Sequence, residues 1–414
     1  LHRVDRRQRQ MCIRDRNSLI LATVIAAAAL AACGKKEETP AATTGSAAPA
    51  AAPAAAPAGG DVVVRIGHVA PMSGGQAHYG KDNENGARFA IEDLNKQDIT
   101  IGGKKVKWEL VAEDDGADPK QGTAAAQKLC DSKVAGVVGH LNSGTTIPAS
   151  KIYNDCGIPM VTGAATNPDL TKPGYDTTYR IIANDNALGA GLANYAVKTL
   201  GFKNVAVIDD RTAYGQGVAD IFRKTAETDG AKVVDQQFTT DKAVDFMAIL
   251  TAIKSKNPDV IFYGGMDAQA GPMLRQMAQL GMTKVKLFGG DGICTTKIVE
   301  LSSKSATMDN VICAEGGASL TKMPGGVEWK KRYDERFPGE FQIYSPYTYD
   351  ATMLLADAMK RADSADPKVY LPKLKESSYQ GVTTTIKFQP NGELVDAPYT
   401  LYSYKDGSKV PVEQ

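Results

Sequence analysis

The chain has 414 residues, 43% of them hydrophobic and 23% charged, with 48 Lys+Arg against 47 Asp+Glu. That supply of apolar residues exceeds what one small core needs, which excludes a disordered or fibrous chain. The balanced charge shows no basic face, so nucleic acid is not an expected partner, and no stretch after residue 33 reaches 18 consecutive apolar residues, so no later membrane span is expected. In chain order, residues 1–16 (LHRVDRRQRQMCIRDR) do not begin with Met. Met11 is a candidate start, and the stretch, with Cys12, contributes nothing to the expected fold.

Leu19–Ala32 (LILATVIAAAALAA) is an apolar run of 14 residues behind an Arg-rich start. It is too short to span a bilayer and fits the core of a signal peptide, here residues 1–32. Leu30-Ala31-Ala32-Cys33 resembles the bacterial lipoprotein signal, small residues before a cysteine that is lipidated and becomes the new N-terminus. Gly34–Gly60 holds no large apolar residue and cannot bury a core; it is expected as a disordered Ala/Pro tether reaching roughly 30 Å. The expected setting is the periplasm or cell envelope, with membrane association by the lipid anchor alone. Four cysteines follow, Cys130, Cys156, Cys294 and Cys313. An even count in an exported chain favours disulfides, and no C-x-x-C suggests zinc or thioredoxin-like chemistry. Three connectivities are open. Cys130–Cys156 and Cys294–Cys313 are preferred because each pair brackets one local unit of chain.

From residue 61 strands and helices alternate. VVVRIGHV (62–69) reads as a buried strand, PMSGGQAHYG (71–80) as a glycine loop, and Ala87, Ala90, Ile91 and Leu94 as one face of a helix. VKWELVA (106–112), a helix opened by Asp118-Pro119, VAGVVG (134–139), a helix over 145–155 and IPMVT (158–162) continue the series. The pattern restarts with helices over 187–200, 215–229, 246–256 and 268–280, each preceding a strand: 204–210, 231–238, 258–265 and 285–290. Such alternation predicts α/β architecture, two lobes of parallel strands with crossover helices. Asn391-Gly392 and Asp406-Gly407 are hairpin signals.

Ligands of open α/β sheets bind beyond the carboxyl ends of the strands. Here those ends carry small polar loops: PMSGGQAHYG, Asn142-Ser143-Gly144-Thr145, Gly163-Ala164-Ala165-Thr166-Asn167, DRTAYGQG (210–217), GGMDAQ (264–269) and GGDG (289–292). Open helix amides with the hydroxyls of Ser143, Thr145 and Thr166 suit an anion. No nucleotide-binding glycine motif follows a strand, so a carboxylate fits better than a phosphate. Asp291 offers a charge for an ammonium, and Tyr79, Tyr214 and Tyr344 could wall the rest of a zwitterion.

The motifs NGARFAIEDLN (85–95), DPKQGTAAAQKL (118–129), GHLNSGTTIPAS (139–150), GAATNPDLT (163–171), AYGQG (213–217), GPMLRQ (271–276) and GGDG carry a resemblance that covers about 61–410. The chain resembles the periplasmic leucine/isoleucine/valine-binding proteins of ATP-driven (ABC) amino-acid transporters, the type I periplasmic binding proteins. That resemblance implies two Rossmann-like lobes, parallel sheets flanked by helices, joined by a three-strand hinge with the ligand cleft between them. It implies lobes of 61–183 plus 318–396 and 184–317 plus 397–414. It assigns Ser143 and Thr166 to the ligand's α-carboxylate, with Ala164 and Ala165 beside them, and Asp291 to the α-ammonium. Tyr79 stands where some relatives carry Trp, Tyr214 and Tyr344 match tyrosines that close over the ligand, and Met266 stands where relatives can carry Tyr. Relatives can also bridge the loops near Ala117 and Asn142; neither position is Cys here. The implied protein is a monomer with no cofactor and no metal that hands a branched-chain amino acid to permease subunits in the inner membrane. An alternative is a sensor-type binding protein for another small amino acid, amide or short carboxylate. An enzyme is not expected. Beyond His2 the chain has only His68, His78 and His140, and no nucleophile or metal motif accompanies them.

Overall fold

The computed structural model describes residues 60–413; the expected leader, Cys33 and the tether lie outside the described residues. The first half comprises β1 (Val62–Ala70), α1 (Ala77–Asn95), β2 (Thr100–Ile101), β3 (Lys104–Asp114), α2 (Pro119–Asp131), β4 (Gly136–Gly139), α3 (Ser143–Cys156), β5 (Met160–Thr162) and β6 (Thr178–Arg180). These strands form one sheet in the order β2-β3-β1-β4-β5-β6. The apolar β1 lies inside it, parallel to β3 and β4, with Ile66 opposite both Leu110 and Gly136. A strand flanked on both sides buries both faces, which is why VVVRIGHVA reads as a nearly continuous apolar run.

The chain continues through α4 (Asp185–Asn194), β7 (Asn204–Asp209), α5 (Ala213–Thr228), β8 (Lys232–Phe238), α6 (Met247–Lys254), β9 (Val260–Gly264), α7 (Asp267–Gln279), β10 (Lys286–Gly289), α8 (Lys297–Leu301) and β11 (Val311–Gly316). Then come α9 (Gly326–Arg336), α10 (Ser345–Arg361), α11 (Pro367–Lys375), β12 (Ser378–Gln380), β13 (Thr385–Lys387), β14 (Tyr399–Lys405) and β15 (Ser408–Pro411). The second sheet runs β15-β14-β11-β10-β9-β7-β8, and β12 and β13 pair separately. Phe222 of α5 stacks on Phe262 of β9 with ring centroids 4.2 Å apart, a contact at the centre of this half's core. The α10 helix returns to the first half and packs on α1. At the crossing, a Cβ on Gly86 would stand 2.1 Å from the Ser345 carbonyl, so only glycine fits there.

Helix starts follow local chemistry. Asp118 caps α2 by accepting from the amides of Lys120 and Gln121, with Pro119 in the first turn. Thr212 caps α5 through the Gly215 amide. Gly157 ends α3 in the left-handed conformation, φ 73°.

Several expectations need correction. The sheets are not wholly parallel. Gly102-Gly103, both at positive φ, turn β2 back against β3. Asp406-Gly407 makes the hairpin expected of it, turning β15 back on β14, which itself pairs antiparallel with β11. Asn391-Gly392 closes only a single bridge, Phe388 to Leu394, in place of a hairpin. The helix expected over 187–200 is α-helical only to Asn194 and widens to i→i+5 bonding over Tyr195–Thr199. Tyr79 and Tyr214 lie in the first turns of α1 and α5, and Tyr344 is the N-cap of α10. Their glycine- and proline-rich surroundings read as loops, but the helices begin inside them. The cysteines are joined 130 to 156 and 294 to 313, with Cα separations of 6.2 and 5.4 Å.

Candidate functional site

The two clusters at the ends of β4 and β5 are tied together from behind. The Thr162 hydroxyl donates to the His140 carbonyl at 2.9 Å and accepts from the amides of Ala164 and Ala165 at 3.2 and 3.0 Å. Ser143 Oγ accepts from the Asn167 amide at 3.2 Å. Arg180, fully buried, donates through Nη1 to the carbonyls of Ala165 and Asn167, each at 2.9 Å, and is paired with Glu393. The helix α3 begins at Ser143, two residues earlier than expected. Its N-cap Asn142 makes no side-chain bond to the helix, so first-turn amides stay available. Thr166 Oγ1 is buried and has no partner within the protein. A hydroxyl left so is costly unless something else bonds it.

Facing these groups are Tyr214, Met266, Asp291 and Gly292 from the second half, with Tyr344. Asp291 Oδ2 accepts from the Tyr344 hydroxyl at 2.9 Å, and its Oδ1 from the Gly292 amide at 3.1 Å. Burial pushes the Asp291 carboxyl up to about 6, against the hydroxyls of Tyr214 and Tyr344, which favour the charged form. Asp82 of α1 fixes Tyr344: its carboxylate accepts four amides, those of Gln342, Ile343, Tyr344 and Ser345, at 2.6–3.1 Å. Asp185, at the start of α4, is buried with both oxygens unpartnered. Burial, then the charge of Asp291, holds its carboxyl well above the usual range.

Together Leu141, Asn142, Ser143, Ala164, Thr166, Tyr214, Met266, Asp291, Gly292 and Tyr344 enclose a cavity of about 20 Å³ between the halves. Seven of the nine residues expected from the sequence line it. Tyr79 instead closes over it, its hydroxyl bonded to the Gly292 carbonyl at 2.7 Å. Ala165 stands behind the wall, its amide held by Thr162 and its carbonyl by Arg180. Asp82, Arg180, Glu393 and Asp185 were missed. Asp82 lies between two of the motifs, but its partners are at 342–345; Arg180 and Glu393 pair across 213 residues, and a charged residue in an amphipathic helix reads as surface. Among the described residues no group of three or more His, Cys, Asp and Glu is arranged to hold a metal.

A cleft between two α/β sheets, lined at the strand ends by donors on one side and a carboxylate on the other, is the arrangement of a periplasmic binding protein. That family's sequence model matches residues 63–409. The chain belongs to the periplasmic binding protein family. Among relatives, the "Leu/Ile/Val-binding protein homolog 1" of Brucella suis biovar 1 is 32% identical over 352 residues, covering 84% of this chain and 91% of its own. The crystal structure of the leucine-binding protein LivK of Thermotoga maritima superposes with a TM-score of 0.76 at 27% identity, covering 84% of this chain and 98% of its own. The branched-chain amino acid transporter substrate-binding protein LivJ of Streptococcus pneumoniae, solved with isoleucine, superposes with a TM-score of 0.75 at 25% identity, covering 85% and 99%. This periplasmic binding protein is thus similar along nearly its whole described length to solute-binding proteins, and no relative named here is an enzyme.

Proposed function

We propose that this periplasmic binding protein captures a free branched-chain amino acid by closure of its two lobes and delivers it to the permease of an ABC transporter. One observation carries the reading: a buried carboxylate, Asp291, faces an unpartnered hydroxyl, Thr166, and the open start of α3 across one small cavity. A zwitterion answers both. Its ammonium would sit at Asp291, and its carboxylate at Ser143, Thr166 and the amides near Ala164 and Ala165. Leu141, Met266, Tyr214 and Tyr344, with Tyr79 above, would receive the aliphatic side chain. The similarity to proteins named for leucine, isoleucine and valine supports the same class.

We assign the lobes to 61–183 plus 318–396 and to 184–317 plus 397–414. A cavity of about 20 Å³ has room for about one water molecule. An amino acid is therefore held only if the lobes part to admit it and then close on it less tightly than here, with the ligand shifting the balance by its contacts in that bound form. The protein is assigned to the extracytoplasmic side as a monomer held to the membrane by lipid on Cys33. Small-angle scattering tests the closure. Saturating leucine compacts the protein, and an unchanged radius of gyration while leucine is bound counts against the reading.

A further inference from the structure

Two of the residues that line the cavity keep a buried polar atom with no partner within the protein, Thr166 Oγ1 and Asn142 Oδ1. The ligand's head group answers the first. Nothing in the capture of a zwitterion answers the second. Asn142 is the N-cap of α3, a position where an Asn side-chain oxygen ordinarily accepts from an amide of the first turn. Here it makes no such bond. Its Nδ2 instead donates to Gln76 Oε1 at 2.7 Å. Gln76 is itself the N-cap of α1 and likewise makes no side-chain bond to its helix. Two capping side chains have thus left their helices for each other. One side of the Asn142 carboxamide is anchored, and the other is buried and unbonded. An oxygen so placed is costly unless something else bonds it. The anchor also fixes which part of a ligand the amide meets. Gln76 and Tyr79 share the start of α1, and Tyr79 closes over the end of the cavity that would receive the side chain.

We propose that the Asn142 carboxamide is a specificity determinant that hydrogen-bonds a hydroxyl on the ligand's side chain, so that the cleft favours a β-branched hydroxy amino acid over the hydrocarbon side chain of the same shape. The proposal rests on the reading of the cleft as an amino-acid site and deepens it. A hydroxyl is the group that fits. It donates to Oδ1 as the amide stands, and it accepts from Nδ2 when the two carboxamides turn over together. A charged side chain would be buried against a neutral amide with no counter-charge. A methyl leaves the amide unbonded. The other walls at this end, Leu141 and Met266 with the tyrosine rings, suit the apolar remainder of a branched side chain. A short side chain is favoured because the closed cavity measures only about 20 Å³.

L-Valine, L-threonine and L-allo-threonine test this, because they share one shape and the last two place a hydroxyl on one or the other branch of the same carbon. Each is titrated by calorimetry into the parent and into Asn142→Leu, which keeps a similar size and removes both polar atoms. In the parent, one of the two hydroxy epimers should bind at least as tightly as valine. In Asn142→Leu that epimer should fall about tenfold or more behind valine, because its hydroxyl is then buried without a partner. The other epimer should keep its ratio to valine. Comparison with valine in the same protein cancels any general loosening of the loop. If valine binds about tenfold or more tighter than both epimers in the parent, or if neither ratio changes in the variant, the proposal is overturned while the amino-acid reading stands. Should Asn142→Leu fail to fold, Gln76→Ala releases the anchor and should lower the favoured epimer's standing against valine about threefold; an unchanged ratio overturns the proposal. If the parent binds no amino acid, the reading of the cleft fails and the proposal falls with it.

Discussion

Replacing Asp291 by asparagine keeps the shape of the side chain and removes its charge, and the structure predicts two consequences of opposite sign. In the bound protein, the ligand's ammonium would be left buried without its counter-charge. Removing one partner of a buried pair costs roughly 3–5 kcal/mol, which is a few hundred-fold to a few thousand-fold in affinity at about 1.4 kcal/mol per tenfold. In the closed conformation without ligand the same carboxylate is a burden. Its carboxyl is raised from 3.8 to about 6, chiefly by burial. A raised carboxyl costs stability above its unfolded value, and the cost is relieved as the pH falls through about 6. At pH 7 the shift corresponds to roughly 3 kcal/mol as an upper bound. Asparagine can still accept from the Gly292 amide and donate to the Tyr344 hydroxyl, the two bonds that now hold Asp291. Asp291→Asn should therefore favour the closed form without ligand more than the parent does at pH 7, lose that advantage near pH 4, and bind leucine weakly at every pH. Calorimetry and ligand-free small-angle scattering at both pH values read both effects. A variant that binds like the parent and shows the parent's pH-dependent compaction would refute the reasoning.

Thr166→Val removes a hydroxyl that has no partner within the protein, so calorimetry should show weakened binding while the ligand-free melt is unchanged or improved. Ser143→Ala should weaken binding less than Asp291→Asn, because helix amides remain at the start of α3. Glu393→Gln strips the buried Arg180 of its counter-charge and should cost roughly 3–5 kcal/mol in a urea melt. Peptide mapping without reduction should find Cys130 with Cys156 and Cys294 with Cys313. For loops of 26 and 19 residues, replacing either pair by serine should cost about 3 kcal/mol in a denaturant melt.

The parts of the fold that follow periodicity were legible. Buried strands such as VAGVVG and helices with local caps such as Asp118-Pro119 carry their own signals. The cavity wall was legible for the same reason. Strand ends rich in glycine and hydroxyls mark where backbone must come close to something, and Ser143, Ala164, Thr166 and Asp291 all lie there. What escaped depends on contacts far apart in the chain. Asp82 reaches the amides at 342–345, Arg180 reaches Glu393, and His78 reaches Asp267. Nothing within a window of a dozen residues distinguishes these from solvated charges. The tyrosines were found as residues and misplaced as structure. Gly215 looks like loop, yet Thr212 caps the helix that contains it, whereas α1 and α10 begin without any side-chain cap to announce them.

Recognition of a free zwitterion by the cleft is read by calorimetry with leucine beside its N-acetyl and amide derivatives. Leucine should bind one to one, with both derivatives reduced to negligible affinity because Asp291 loses its ammonium in one and the Ser143–Thr166 side loses its carboxylate in the other. Equal binding of N-acetyl-leucine, or of a carboxylic acid without any amine, would contradict it.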